Sequence, residues 1–243
     1  MTPKERADRL LVARGLFESR ARAQAAIAAG RVTADGSPVR KASDGISSAA
    51  IIAAEPEHPY VSRGGVKLAA ALDHFALDVA GRVCLDVGAS TGGFTEVLLA
   101  RGAKRVYAVD VGTGQLHPRL QDRDDIVSIE QTDIRKLDPA RLEEPPDLAT
   151  IDVSFISLKL VLPAVGNLLM PRAQLLALIK PQFETKGDGV KKGIVRNEAV
   201  RRSVCDDIAT VLASIGWRTR PVVASAIRGG DGNQEFFVEA ERG

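Results

Sequence analysis

The sequence predicts an α/β protein: a seven-stranded, mostly parallel sheet covered by helices on both faces, preceded by a small α+β domain. Three observations carry this. Val83, Leu85 and Val87 are apolar at a spacing of two, a turn rich in small residues follows over Asp86 to Gly93, and apolar positions at near-helical spacing come next at Phe94, Val97, Leu98 and Leu99. From Arg82 onward, strand-like and helix-like stretches alternate. The segment before Glu55 shows a different pattern, two short helical stretches and then a hairpin, and it ends at the proline-containing polar stretch Glu55 to Tyr60.

Taken in order, Arg6–Arg14 reads as a helix with Ala7, Leu10 and Leu11 apolar, closed by Gly15. Ser19 suits the N-cap of a second helix, Arg20–Ala29, closed by Gly30. Arg31–Ala34 and Ser37–Arg40 flank Asp35-Gly36, which suits a tight hairpin because both positions tolerate positive φ. Val66–Phe75 then places Leu68, Ala69, Leu72 and Phe75 on one helical face. Strands are predicted at Val83–Val87, Arg105–Val109, Ile126–Glu130, Leu148–Asp152, Gln174–Ile179, Pro221–Ala226 and Glu235–Ala240. Helices are predicted at Gly93–Ala100, Leu158–Leu169 and Glu198–Ser214, the last capped by Asn197 with Gly216 just past its end. The expected division is a first domain over 1–56, a linker over 57–64 and a second domain over 65–243.

With 243 residues, 45% of them hydrophobic, the chain can build one domain of moderate size and a small appendage. No apolar run approaches the roughly 20 residues that span a bilayer, and the start, MTPKERADRL, lacks a signal peptide's apolar core. A cytoplasmic protein with no membrane partner is expected. Cys84 and Cys205 have no metal-ligand spacing and read as small core residues, and no metal is expected. The net charge is only +2, but Met1 to Lys41 holds nine basic residues against four acidic ones. That excess suits a polyanionic partner, or solvated helix faces.

Ligands of open sheets of this kind bind beyond the carboxyl ends of the strands. Asp86, Asp110, Asp133, Asp152 and Lys180 all fall there. A single aspartate would be a cap or turn residue; five charged groups on one edge predict a site. The glycine turn exposes backbone N–H groups to a nucleotide-like ligand. Its spacing, Asp86-x-Gly88-x-x-x-Gly92-Gly93, misses the dinucleotide fingerprint and disfavours NAD. It resembles instead the first motif of S-adenosylmethionine (AdoMet) methyltransferases, whose loop wraps the methionine and ribose part. The resemblance implies AdoMet as cofactor and Asp86, Gly88, Ala89, Ser90, Thr91, Gly92 and Gly93 as its loop. Asp110, about 20 residues on, would hold the ribose hydroxyls, and Asp133, followed by Ile134, would accept from the adenine amino group.

Two features separate methyltransferase classes. After the fourth strand the chain reads Asp152-Val-Ser-Phe155, without the Pro-Pro of base-nitrogen enzymes, and neither cysteine ends a strand as carbon-5 cytosine enzymes require. Lys67, Asp152, Lys180 and Glu235 remain, a set similar to the K-D-K-E catalytic tetrad of FtsJ-type ribose 2′-O-methyltransferases. RADRLLVARGLFESRARAQAAIAAGRVTADGSPVRK resembles the S4 RNA-binding domain, which implies that Arg6, Arg20, Arg22 and Lys41 face phosphate; Arg63, beside the tetrad lysine, is a further RNA-binding candidate. With VSRGGVKL, DVGASTGGF, DVSFISL, LIKPQFE and GGDGNQEFF, nearly the whole chain resembles the TlyA (hemolysin A-like) family. The resemblance implies a Rossmann-like AdoMet methyltransferase acting on cytidine ribose 2′-hydroxyls of 23S and, in some members, 16S ribosomal RNA. The alternatives are a non-catalytic RNA-binding or ribosome assembly factor with a vestigial AdoMet fold, and a small-molecule methyltransferase. Direct lysis is not expected, because no stretch is built to enter a membrane. Gln182 to Arg196, with Lys186, Lys191 and Lys192, reads as either a solvated loop or a clamp on RNA phosphates.

Overall fold

The computed structural model describes residues 3–185, 190, 191 and 193–243. It divides into two compact units, Met1–Pro59 and Tyr60–Gly243. The first contains β1 (Lys4–Arg6), α1 (Ala7–Ala13), α2 (Arg20–Ala28), β2 (Val32–Ala34), β3 (Ser37–Pro38), β4 (Gly45–Ser47) and β5 (Ile52–Ala54). Ser19 caps α2 as its sequence suggests, its Oγ accepting the Arg22 N–H at 3.3 Å. The β2–β3 hairpin turns through Asp35 and Gly36 at φ +48° and +76°. Two pairings escape sequence reading, β1 with β4 and β2 with β5. Strands of three residues are too short to show a period of two. Ala7, Leu11, Phe17, Ala23, Ile27 and Val32 form the core.

The second unit opens with α3 (Arg63–Phe75), which starts three residues before the apolar spacing does. Glycines at its start hide it from propensity, yet Gly65 is required there: a Cβ would sit 2.4 Å from the Tyr60 ring. Next come β6 (Val83–Val87), α4 (Gly93–Ala100), β7 (Arg105–Val109), α5 (Pro118–Gln121), β8 (Ile126–Ile129), β9 (Leu148–Ile151), α6 (Leu158–Leu168) and β10 (Ala173–Ile179). They are followed by α7 (Pro181–Glu184), β11 (Val190–Lys191), β12 (Ile194–Val195), α8 (Glu198–Ser214), β13 (Arg218–Thr219), β14 (Val223–Ala224) and β15 (Phe236–Arg242).

Among the described residues the sheet runs β13-β15-β10-β9-β6-β7-β8, seven strands, with β14 as an eighth paired to β15. The five strands from β10 to β8 are parallel, and β15 is antiparallel to β10 from Ile179↔Phe236 to Ala173↔Arg242. The strand expected over Pro221–Ala226 is shorter, and a separate strand, β13, precedes it. Pro221 lies between them and has no N–H to give a ladder. Helices α3 and α4 pack on one face through Leu68, Leu72, Phe94 and Leu98. The other face is covered by α6 and α8 through Leu158, Leu162, Ile208 and Leu212.

Strand order reverses between β6 and β9: the chain runs from β6 out to β7 and β8, then returns to β9 on the other side. Such a switch point opens a crevice beyond the strand ends. The glycine turn after β6 and Asp152 after β9 therefore meet across it.

Candidate active site

The turn after β6 is built by close approach. Gly88 has φ +82°, and a Cβ on it would lie 2.5 Å from the Asp152 carbonyl oxygen. Gly92 has φ +89° and a Cβ there would lie 2.4 Å from Leu120, while one on Gly93 would lie 2.1 Å from Ser62 Oγ. Ser90 adopts φ +47° without being glycine, and its N–H donates to Asp110 Oδ2 at 2.8 Å. Asp110 Oδ1 accepts from the Gly112 N–H at 2.7 Å. One carboxylate thus joins the glycine turn to the loop after β7. Glu130 steadies that loop from the other side by accepting the N–H groups of Gly114, Gln115 and Leu116.

Beyond these loops lies a cleft of about 520 Å³. Gly88, Ser90, Asp110, Asp133, Ile134 and Asp152 line it together with Val87, Val109, Val111 and Phe155. A smaller pocket of about 170 Å³ shares Gly88, Ser90 and Asp152 with the cleft and adds Ala89, Thr91, Gly93, Ser62 and Lys67. Asp133 is engaged by Arg135, which donates from its backbone and side chain at 2.6 to 3.1 Å. Those bonds, chiefly the side-chain ones, lower its carboxyl to about 2. Asp86 lines neither pocket. It is fully buried, its carboxylate accepting the Thr95 hydroxyl at 2.7 Å and the Thr150 hydroxyl at 3.0 Å. Burial raises it to about 7, against the pull of those two hydroxyls.

Two ion pairs flank the smaller pocket. Lys67, on the α3 face turned to the sheet, reaches Glu235 Oε2 at 2.5 Å, and only 8% and 3% of these residues are exposed. Lys180, at the end of β10, approaches Asp152 Oδ1 to 2.6 Å and donates to Ser154 Oγ at 2.8 Å. Lys67 and Asp152 both line the pocket, so residues far apart in sequence converge on one place. Glu184, just after Lys180, accepts from Ser157 Oγ at 2.5 Å and from the Leu158 N–H at 2.7 Å. It caps α6 and so locks the loop bearing Lys180 to the loop bearing Asp152 and Ser154.

Of the basic residues singled out in the sequence, Arg6 and Arg20 are brought together on Asp8. Arg22 is half-buried and Lys41 exposed in the same unit. Arg63 donates to the Arg228 carbonyl at 2.8 Å. Lys186 and Lys192, and the side chain of Lys191, lie outside the described residues. Sequence reasoning missed Ser154, Ser62 and Thr150. Ser154 carries a signal in retrospect, two residues beyond an aspartate that ends a strand.

Comparison with known proteins decides the family. The FtsJ-like methyltransferase profile matches residues 60–242, and the S4 domain profile matches residues 5–52. The chain belongs to the FtsJ-like methyltransferase family. It is 43% identical over 241 residues to the 16S/23S rRNA (cytidine-2′-O)-methyltransferase TlyA of Mycobacterium tuberculosis, covering 98% of this chain and 90% of that protein. Hemolysin A of Brachyspira hyodysenteriae is 37% identical, with 96% of this chain and 98% of that one covered. A solved structure of a protein from Streptococcus thermophilus superposes with a TM-score of 0.77 at 41% identity, covering all of this chain and 90% of that one. This FtsJ-like methyltransferase therefore has an S4 domain ahead of its methyltransferase domain in sequence. Among the described residues no helix is long and apolar enough to cross a membrane.

Proposed function

We propose that this protein transfers a methyl group from AdoMet to a cytidine ribose 2′-hydroxyl of ribosomal RNA, as a cytoplasmic enzyme. The observation that carries the reading is the convergence of the Lys67–Glu235 and Lys180–Asp152 pairs on a pocket that opens from the glycine turn. The names and close identity of the TlyA relatives support the same substrate. The expected division of labour is RNA holding by 1–56, a linker over 57–64 and chemistry in 65–243.

The residues present fit AdoMet. A cradle closed to any Cβ at Gly88, apolar walls at Val87, Val109 and Ile134, and carboxylates at Asp110 and Asp133 suit a nucleoside with a short polar tail. Asp110 would hold ribose hydroxyls while keeping its two backbone donors, since each carboxylate oxygen accepts more than one bond. Asp133 and Ile134 would receive the adenine edge. Asp86 acts from beneath the turn as a structural group. When bound, AdoMet supplies a methyl group made electrophilic by its sulfonium.

What the chain must add is a 2′-oxygen ready to attack. Lys180 is positioned by Asp152 and Ser154, two groups from one loop, and has a further N–H to give. Donated to the 2′-oxygen, it would stabilise the developing alkoxide; as a free amine the same nitrogen would accept the proton. Lys67, fixed by Glu235, adds a second cation at the pocket wall and orients the ribose. The test is methylation of ribosomal RNA by wild type and Lys180→Ala, with 2′-O-methyl sites mapped by primer extension. The variant should bind AdoMet and RNA normally and lose on the order of 10²–10⁴-fold in transfer rate. A near wild-type single-turnover rate would refute the mechanism.

A further inference from the structure

We propose that Asp8 is a positioning residue for RNA, holding the guanidinium groups of Arg6 and Arg20 side by side as a preformed phosphate clamp. The inference rests on the assignment of RNA holding to the first unit. Asp8 lies in the first turn of α1 and is completely buried. Its Oδ1 accepts from Arg6 Nε at 3.0 Å. Its Oδ2 accepts from Arg6 Nη2 at 3.1 Å, Arg20 Nε at 3.2 Å, Arg20 Nη2 at 2.8 Å and Gln24 Nε2 at 2.8 Å. The bonds from Arg6, then Arg20, then Gln24 hold this carboxyl well below the usual carboxylate range, so it stays ionised.

A buried carboxylate needs partners, and one arginine fork would supply two of them. Here arginines from two different elements converge instead, and neither is consumed. The side chains of Arg6 and Arg20 remain 43% and 50% exposed. Each guanidinium has five N–H donors and uses those on Nε and Nη2, leaving the outer ones for a ligand. Because both Nη2 atoms bond one oxygen, they lie no more than about 6 Å apart. One phosphate can reach both. Long side chains ordinarily lose rotamer freedom when they grip a phosphate, and Asp8 has already removed that freedom.

The experiment is a salt titration of ribosomal RNA binding by the full chain, comparing wild type with Asp8→Asn. Charge alone and positioning predict opposite signs. Removing a negative charge beside a polyanion tightens binding by Coulomb attraction, whereas loss of the clamp weakens it, by about tenfold for two side chains that must be ordered anew. The proposal therefore expects weaker binding with AdoMet affinity unchanged. Arg6→Lys provides a reading that leaves Asp8 in place: it keeps the charge and loses the two-pronged grip, so its RNA affinity should also fall. It decides the matter if Asp8→Asn fails to fold. Equal or tighter binding by a folded Asp8→Asn protein overturns the proposal, as does Arg6→Lys binding at wild-type strength. Arg6→Ala with Arg20→Ala separates the two levels. If that double variant loses affinity while Asp8→Asn does not, only the positioning role fails. If the double variant binds normally with an unchanged salt slope, the RNA-holding assignment of these arginines fails with it.

Discussion

Replacing Lys67 by methionine should separate what the buried pair does for folding from what it does for chemistry. Lys67 and Glu235 are 8% and 3% exposed and their charged atoms are 2.5 Å apart. Neither can turn to water when its partner leaves. Glu235 Oε1 lies close to Gly229, where a Cβ would come within 2.6 Å, so the carboxylate is accommodated only because that residue is glycine. Removing one member of such a pair strands a buried charge and costs about 3–5 kcal/mol. In a unit of this size each kcal/mol shifts the melting midpoint by roughly 2–4 °C, so Lys67→Met should melt on the order of 10 °C lower. The double variant Lys67→Met with Glu235→Leu removes both charges and should recover most of that stability. Methyl transfer to RNA should be lost in both, since neither keeps the Lys67 cation that lines the pocket beside Asp152. Urea unfolding gives the stabilities and radiolabelled methyl transfer the activity. A single variant as stable as wild type would refute the electrostatic coupling, and a double variant with restored activity would remove the pair from the chemistry.

Gly88→Ala should lower AdoMet affinity at least tenfold by calorimetry, because its Cβ would sit 2.5 Å from the Asp152 carbonyl at a φ of +82°; wild-type affinity would show that the turn has slack. Asp110→Ala should weaken AdoMet and increase hydrogen exchange at Ser90, whose N–H it holds at 2.8 Å; unchanged AdoMet affinity would take Asp110 out of the site. Asp86 is raised by burial from 3.8 to about 7, so the folded state binds this proton more tightly than the unfolded one. Its contribution is fully present below pH about 4 and is lost as pH rises through about 7, and Asp86→Asn should flatten that fall in unfolding free energy. An identical pH profile in the variant would contradict the shift.

The elements legible in the sequence are those with a strong local signal. β6, the glycine turn and α4 fall where expected, because apolar alternation, small residues and helical spacing follow one another without a gap. α8 matches to the residue, since Asn197 caps it and Gly216 follows it. Boundaries failed where chemistry interrupts the pattern, at Pro221 between β13 and β14 and at the glycines that open α3. The site was legible in a different way. Nothing local joins Lys67 to Glu235, and only resemblance to a known tetrad put them together. Asp8 shows the limit from the other side. An acid in the first turn of a helix reads as a favourable charge near the helix N-terminus, and no pattern reveals that it is buried between two arginines.

Asp86 shows how an acid can shape a site without touching what the site holds. Sequence places it among the cofactor ligands, as the residue that ends the strand before the glycine turn. The structure places it under the turn, where its two oxygens take hydroxyls from Thr95 of α4 and Thr150 of β9. These bonds tie the helix after the turn and the neighbouring strand to the end of β6. Both sides of the switch point are therefore tied to one buried carboxyl, two residues before the glycine that closely approaches the Asp152 carbonyl. The negative charge of Asp152 also helps keep Asp86 protonated, adding to the larger effect of burial. One carboxyl is thus enclosed by the fold, and the other is paired with Lys180. With Asp86 enclosed beneath the turn, Asp152 is the one of these two strand-end carboxyls that lines the pocket and meets Lys180 at 2.6 Å.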